Sequence, residues 1–564
     1  MSRIHRLLPL LFLSGLALAQ TAPDTTIRVT SRIVYVDIVV RDSYGRIVRG
    51  LTEKDFHVSE DGKPETIDYF RDHTHDLAAN ASPPSTPRDS SSLEFSNVTS
   101  GGDGTNSINI ILFDFQNTAP QDQLYARKQM IRFLENLPPG RQTALFVLDA
   151  RLRMLQSFTG STDLLVAAAN QMKVEASSVQ TLGQHQQDDD FARSFAAAMG
   201  RSASGRNVVA KMNDLAAPQD FIRSAAITQG ALKELAAATS GYPGRKNLYW
   251  LADDFPVYGG PALEINDLSS EMAMSINDFP GFTAGTNKIA DAQIAIYPIS
   301  LAGLEVADAG PETAGRPGRQ QFAKQFNDRS EKHALLEDIA DNTGGKAYFG
   351  TNDFAGALQR GFEDGANYYT LAYRPENKNW NSQFRKIHIK LGASGYSLSY
   401  RRGYFATPED TPQPHNGAQE LNAALQPDTP DSTMLLLKSK VLLPDAQHSA
   451  VRVDSVIDPV NVAFSTDSRG RRHAQLLVSL IAIPEIESDG KAKADKQPPS
   501  LPQTSGAYVV DLDPQAFQKL FTSGMPMHQE LTLPPGRYRL RLGVSDLGSH
   551  RIGTLDMPIE VVQH

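Results

Sequence analysis

The chain has 564 residues, 40% of them hydrophobic and 21% charged, with a formal net charge of −9 and no cysteine. That length exceeds what one hydrophobic core organises and predicts roughly two to four domains. The acidic balance argues against a nucleic-acid partner, which needs a dense basic face. The lack of cysteine excludes disulfides, zinc–thiolate centres, thiol nucleophiles and a lipid-modified N-terminal cysteine.

Residues 1–19 read as a signal peptide: Arg3 and Arg6 start it, Leu7–Leu18 is a short apolar stretch, and Ala17-Leu-Ala19 has the small-x-small cleavage pattern. Cleavage near Ala19 removes two arginines and leaves a charge of −11, which predicts an exported protein, periplasmic or extracellular. The apolar stretch is too short to span a bilayer, and no other segment can, so the reading is not an integral membrane protein. Residues 25–74 are strand-rich: Ile33–Val40 is β-branched, and Glu60-Asp-Gly-Lys63 marks a hairpin. Residues 75–106, rich in Ser, Pro, Asn and Gly, read as a flexible linker.

From 107 to 365 strand and helix patterns alternate, as in a parallel sheet with crossover helices. Strands are predicted at 108–114, 142–149, 247–253, 292–300 and 345–349, and helices at 120–136, 161–173, 219–239 and 331–342. Long insertions fall at 177–215 and 255–290. Three strands follow in 366–405, then a Pro- and Asp-rich linker over 406–430, then an alternating segment over 431–564 with a disordered loop predicted at 485–505. The 25–74 and 366–405 segments each hold too few strands for a two-sheet core. The fold class is therefore α/β and β multidomain: a Rossmann-like domain (a parallel sheet with helices on both faces) inserted in a β-sandwich built from 25–74 and 366–405, followed by a C-terminal β-sandwich.

Two apolar strands end in acids. Ile108–Phe113 runs into Asp114, and Asn247–Ala252 runs into Asp253 and Asp254. Open α/β sheets bind ligands at their carboxyl edge, and two carboxylates there suit a hard cation. The plainer readings are that Asp114 caps the following helix and that Asp253 and Asp254 form a solvated turn before Pro256. Asp188–Asp190 reads as a solvated acidic run. Gly344-Gly-Lys346 lacks the spacing of a phosphate loop, the histidines lack metal-ligand spacing, and Trp250 reads as core. No acid–base or nucleophile set emerges, so the expectation is a protein that is not an enzyme.

The segments Ile108–Thr118, Pro139–Val147, Gly244–Asp253 and Ala340–Tyr348 resemble the von Willebrand factor A domain. With Val36–Pro64 before them and Tyr368–Phe405 after, residues from about 25 to 405 resemble the acidobacterial von Willebrand factor A-related family of exported proteins. The resemblance implies a metal-ion-dependent adhesion site, usually Asp-x-Ser-x-Ser, a Thr on a second loop and an Asp after a later strand. Here Asp114 and Thr118 match in type, Gln116 stands where a hydroxyl is usual, Thr181 is placed on the second loop, and Asp253 is the late Asp, with Asp254 where Gly is usual. The ion implied is Mg²⁺ or Mn²⁺, and the partner implied is a protein whose acidic side chain completes the metal shell. The alternatives are a metal-independent structural or assembly component of the cell envelope and, from another class, a hydrolytic enzyme using the insertions.

Overall fold

The computed structural model describes residues 32–74, 93–97, 107–138, 140–172, 217–253, 255, 289, 292–302, 319–407, 416–427, 429–445, 447–485 and 501–562. Residues 1–19, which the sequence reading takes as a signal peptide, and Thr181, Asp188–Asp190, Asp254 and nearly all of both insertions lie outside these residues.

Strands far apart in sequence build the first β unit. Val34–Arg41 pairs antiparallel with Tyr369–Tyr373, which pairs on its other side with Ile67–Asp72. A facing sheet is ordered Gly403–Phe405, Phe384–Leu391, Phe56–Glu60, Lys63–Glu65. Alternation along Phe384–Leu391 sends Ile387 and Ile389 inward against Val36, Ile38, Val58, Leu371 and Tyr373. The hairpin closes through Asp61 and Gly62, both at positive φ (48° and 83°), as a two-residue hairpin turn of the right twist requires.

Between these segments lies a five-stranded sheet ordered Ile294–Ser300, Lys246–Ala252, Ile108–Asp114, Thr143–Leu148, Leu152–Thr159. The first four strands are parallel and the last is antiparallel. Those four are buried along their whole length, because helices cover both faces. Ile110, Leu112, Leu248 and Trp250 face Ile227, Leu232 and Leu235 of helix Ala217–Thr239 and Leu336 and Ile339 of helix Arg319–Thr343. Ile111, Phe113, Tyr249 and Leu251 face helices Pro120–Glu135, Thr162–Gln171 and Phe354–Ala366.

The C-terminal unit stacks the sheet Met525–Leu531, Val451–Ile457, Leu437–Leu442, Glu94–Ser96 on a sheet of Ser465–Thr466, Arg472–Pro484, Gln503–Leu512, Gly536–Asp546 and Arg551–Val561. Leu437, Val453, Leu480, Leu540 and Met557 lie in the core between them. It contacts the α/β domain where Thr433 donates from its N–H to Ala237 O (2.9 Å) and from its hydroxyl to Ala238 O (3.0 Å).

Several elements differ from the sequence reading. Within the predicted linker 75–106, Glu94–Ser96 is a strand against Leu437–Leu442, and the Asn97 amide bonds Ser432 O, Leu435 O and Leu437 N. A three-residue strand with one aromatic side chain has no periodicity to detect; its partner defines it. Within the predicted linker 406–430, Gly417–Ala424 is a helix capped by Asn416. Part of the predicted loop 485–505 belongs to the strand that starts at Gln503. Residues 345–349 form a single bridge, Ile299 to Tyr348, rather than a strand. The strand Leu152–Thr159 and the helices Phe354–Ala366 and Pro514–Ser523 lie outside the predicted elements, and the helix predicted at 331–342 extends over Arg319–Thr343. Among the described residues no helix is long and apolar enough to cross a membrane.

Candidate functional site

Asp114 and Asp253 come from adjacent parallel strands and meet on one loop, Phe115–Ala119, at the carboxyl edge of the sheet. The sequence folds this loop tightly because the helix that follows begins without a capping side chain of its own: Ala119 is the residue before Pro120. Asp253 compensates from the neighbouring strand, its Oδ2 accepting the Ala119 N–H at 2.6 Å. A carboxylate at a helix N-terminus also answers the helix dipole. The Asp253 N–H in turn donates to Asn117 O at 3.1 Å, and the Gln116 N–H donates to Leu148 O at 3.0 Å. The loop is thereby stitched to the strands on both sides.

Asp114 is fully buried and every group that bonds its carboxylate is an N–H donor. Oδ1 accepts from the Asn117 main chain (3.0 Å), and Oδ2 accepts from the Asn117 side chain (2.7 Å) and from Trp250 Nε1 (2.9 Å). Burial pushes its pKa up to about 7, against the opposing pull of the Asn117, Trp250 and Gln116 donors. The buried Thr118 hydroxyl donates to Asp114 O at 2.5 Å. Gln123 Nε2 donates to Thr118 O (2.9 Å) and Phe115 O (3.4 Å). Asn117 extends the network to helix Ala217–Thr239, donating to Thr228 Oγ1 at 3.0 Å and accepting from the Ser224 hydroxyl.

Of the residues predicted from sequence, Asp114, Thr118 and Asp253 are brought together; Gln116 sits beside them, half-buried and anchored through its main chain; Thr181 is outside the described residues. Sequence reasoning missed Asn117, Gln123, Ser224 and Thr228, and read Trp250 as core packing alone. Asn117, three residues after Asp114, was the one legible hint, since Asp and Asn side chains so spaced bond locally.

A divalent ion tests this donor set. Mg²⁺ demands near-octahedral oxygen ligands, several of them free to turn toward it. Here both Asp114 oxygens point at N–H donors, the Thr118 hydroxyl donates to a carbonyl and one Asp253 oxygen holds the main chain of Ala119. Among the described residues no group of three His, Cys, Asp or Glu is disposed to hold a metal. As placed, Asp114, Thr118 and Oδ2 of Asp253 are engaged in bonds that a directly bound divalent cation would have to replace, and Thr181 lies outside the described residues.

No family model matches the sequence, and no curated protein matches it. Solved structures that overlap it include an aerotolerance-related membrane protein from Bacteroides fragilis, 10% identical over 45% of this chain and 98% of that one, with a TM-score of 0.25. BatB from Bacteroides thetaiotaomicron is 12% identical over 46% and 96%, with a TM-score of 0.25. A von Willebrand factor type A protein from Catenulispora acidiphila is 10% identical over 64% and 77%, with a TM-score of 0.17. Overlaps this slight define no family for the chain.

Proposed function

We propose that the chain is an exported, non-enzymatic protein-interaction module of the von Willebrand factor A type, of the kind its sequence resembles in acidobacteria, and that it engages its partner without a divalent ion. The observation that carries this reading is the Asp114 carboxylate, buried and held by N–H donors on both oxygens. In this arrangement the acid organises the loop Phe115–Ala119 rather than presenting itself to a ligand. A loop fixed on rigid strands at the carboxyl edge is a preorganised contact surface, and preorganisation lowers the entropy cost of binding.

The second reading, a degenerate Mg²⁺ or Mn²⁺ site formed by Asp114, Gln116, Thr118, Thr181 and Asp253, is favoured by the convergence of three of these residues on one loop. It requires Asp253 to release Ala119 and Asp114 to release Trp250. One experiment separates the two. The full chain is melted in chelator and in millimolar Mg²⁺ or Mn²⁺. Metal-independent organisation leaves the curve unchanged; a rise in melting temperature that Asp114→Ala and Asp253→Ala both abolish refutes it, since binding to the folded state stabilises by mass action.

A further inference from the structure

The outer face of one sheet in the C-terminal unit carries an open groove of about 880 Å³. Its floor is the sheet Met525–Leu531, Val451–Ile457, Leu437–Leu442, Glu94–Ser96, whose inward residues, such as Leu437, Val453 and Met527, belong to the sandwich core. Strand alternation turns the intervening residues outward: Lys438 and Lys440, Asp454 and Val456, Pro526 and His528 are all exposed and all line the groove. Tyr508 of the facing sheet reaches the edge strand, where its hydroxyl donates to His528 O (2.9 Å) and accepts from Gln529 Nε2 (2.6 Å).

Register sets these side chains in two rows across the strands. One row runs Glu94, Lys440, Asp454, His528, and the other Ser96, Lys438, Val456, Pro526. In the first row His528 is held between two carboxylates, with Asp454 Oδ1 at 2.7 Å from Nδ1 and Glu530 Oε1 at 3.0 Å from Nε2. A third cation of the same face, Arg452, pairs with Asp445 at 3.4 Å. Lys438 and Lys440 differ: among the described residues neither ammonium has an ion pair or hydrogen bond, although Glu94 sits opposite Lys440 in register.

Two unpaired lysines two residues apart on one strand stand about 7 Å from each other. The acids of an extended peptide at positions i and i+2 have the same interval and share one face. Beside Lys438, Val456 (38% exposed) and Pro526 offer an apolar step for a flanking side chain. The volume suits a ligand of several residues rather than a lone ion. Glu94 and Asp454 in the same floor repel a polyanion such as nucleic acid, which needs a dense basic face.

We propose that this groove docks an extended acidic segment of a partner protein, with carboxylates at i and i+2 on Lys438 and Lys440 and an apolar residue on Val456 and Pro526. The groove lies in the C-terminal unit and rests on none of the observations at the Asp114 loop. The probe is a fluorescein-labelled peptide, Val-Thr-Glu-Thr-Glu-Thr-Val, whose acids and valines share one face. It is titrated with the full chain and read by fluorescence anisotropy. The probe binds with a Kd below about 1 mM, and Lys438→Gln with Lys440→Gln weakens it by about tenfold or more. The charge-matched pair Lys390→Gln with Lys519→Gln, exposed elsewhere, leaves binding unchanged. Melting curves of both variants match the wild type, because exposed lysines contribute little to folding. A peptide with glutamine for both acids, or with the two glutamates adjacent so that they face opposite ways, binds at least about tenfold more weakly. No binding of the probe at about 1 mM, equal binding of the control peptides, or equal loss in both lysine pairs overturns the proposal. So does sedimentation showing that the chain dimerises through Lys438 and Lys440, since a second copy then fills the groove.

Discussion

Replacing Asp114 with Asn keeps the shape of the side chain and removes its ionisation. In the folded protein burial lifts the Asp114 carboxyl from 3.8 to about 7. A folded state with the higher pKa holds a proton that the unfolded chain releases between those values. Stability from this group is therefore present below pH 4, falls as pH rises through the window, and is flat above about 7. Three units at about 1.4 kcal/mol each give a loss of about 4 kcal/mol across the window. The amide introduced by Asp114→Asn cannot titrate, so the variant lacks this slope. That amide instead places an N–H against the donors of either Trp250 or Asn117, a constant cost of about 1–3 kcal/mol at all pH values. The quantity to measure is the wild-type stability minus the variant stability, which cancels other titrating acids such as Asp431. It should decline by about 4 kcal/mol from pH 4 to pH 8. The assay is urea unfolding followed by Trp250 fluorescence in a Trp380→Phe background, since the chain has 2 tryptophans and Trp250 lies in the α/β domain. A difference that stays constant with pH, or that grows in favour of the wild type, would refute the view that Asp114 is a buried acid whose charge is unfavourable in the fold.

Trp250→Phe removes the indole donor to Asp114 and leaves space in a packed core; a loss of about 2–4 kcal/mol is expected, measured as a fall in the circular-dichroism melt, and no change would show that the bond at 2.9 Å contributes nothing. Arg541→Met strips the cation that lies between Asp431 (3.3 Å) and Asp556 (2.8 Å) and that holds Ala424 O, Thr429 O and Pro430 O. Burial and Asp556 already raise Asp431 to about 6, so the deficit, about 3–5 kcal/mol, should grow from pH 5 to pH 8. Proteolysis should then cut first around helix Gly417–Ala424, and cleavage elsewhere would count against that arginine as the clamp.

The sequence by itself determined what local pattern can carry. Continuous apolar runs such as Ile108–Phe113 and Asn247–Ala252 specify strands buried on both faces, whatever surrounds them, because no other element buries such runs fully in so few residues. Asp61-Gly62 specifies a hairpin because few residues tolerate its backbone angles. The position of Asp114 and Asp253 at strand ends followed from the same reading. The direction in which their oxygens point did not. That depends on Trp250 from the adjacent strand and on Asn117, which is itself held by Thr228 of a helix 111 residues away. Only the tertiary structure decided that Val34–Arg41 lies beside Tyr369–Tyr373, that Glu94–Ser96 completes a sheet begun beyond residue 430, and that Glu94, Lys440, Asp454 and His528 form one row across that sheet. Hydrogen bonds and charge balance are settled between groups close in space, and the sequence separation of those groups bears no trace of their contact.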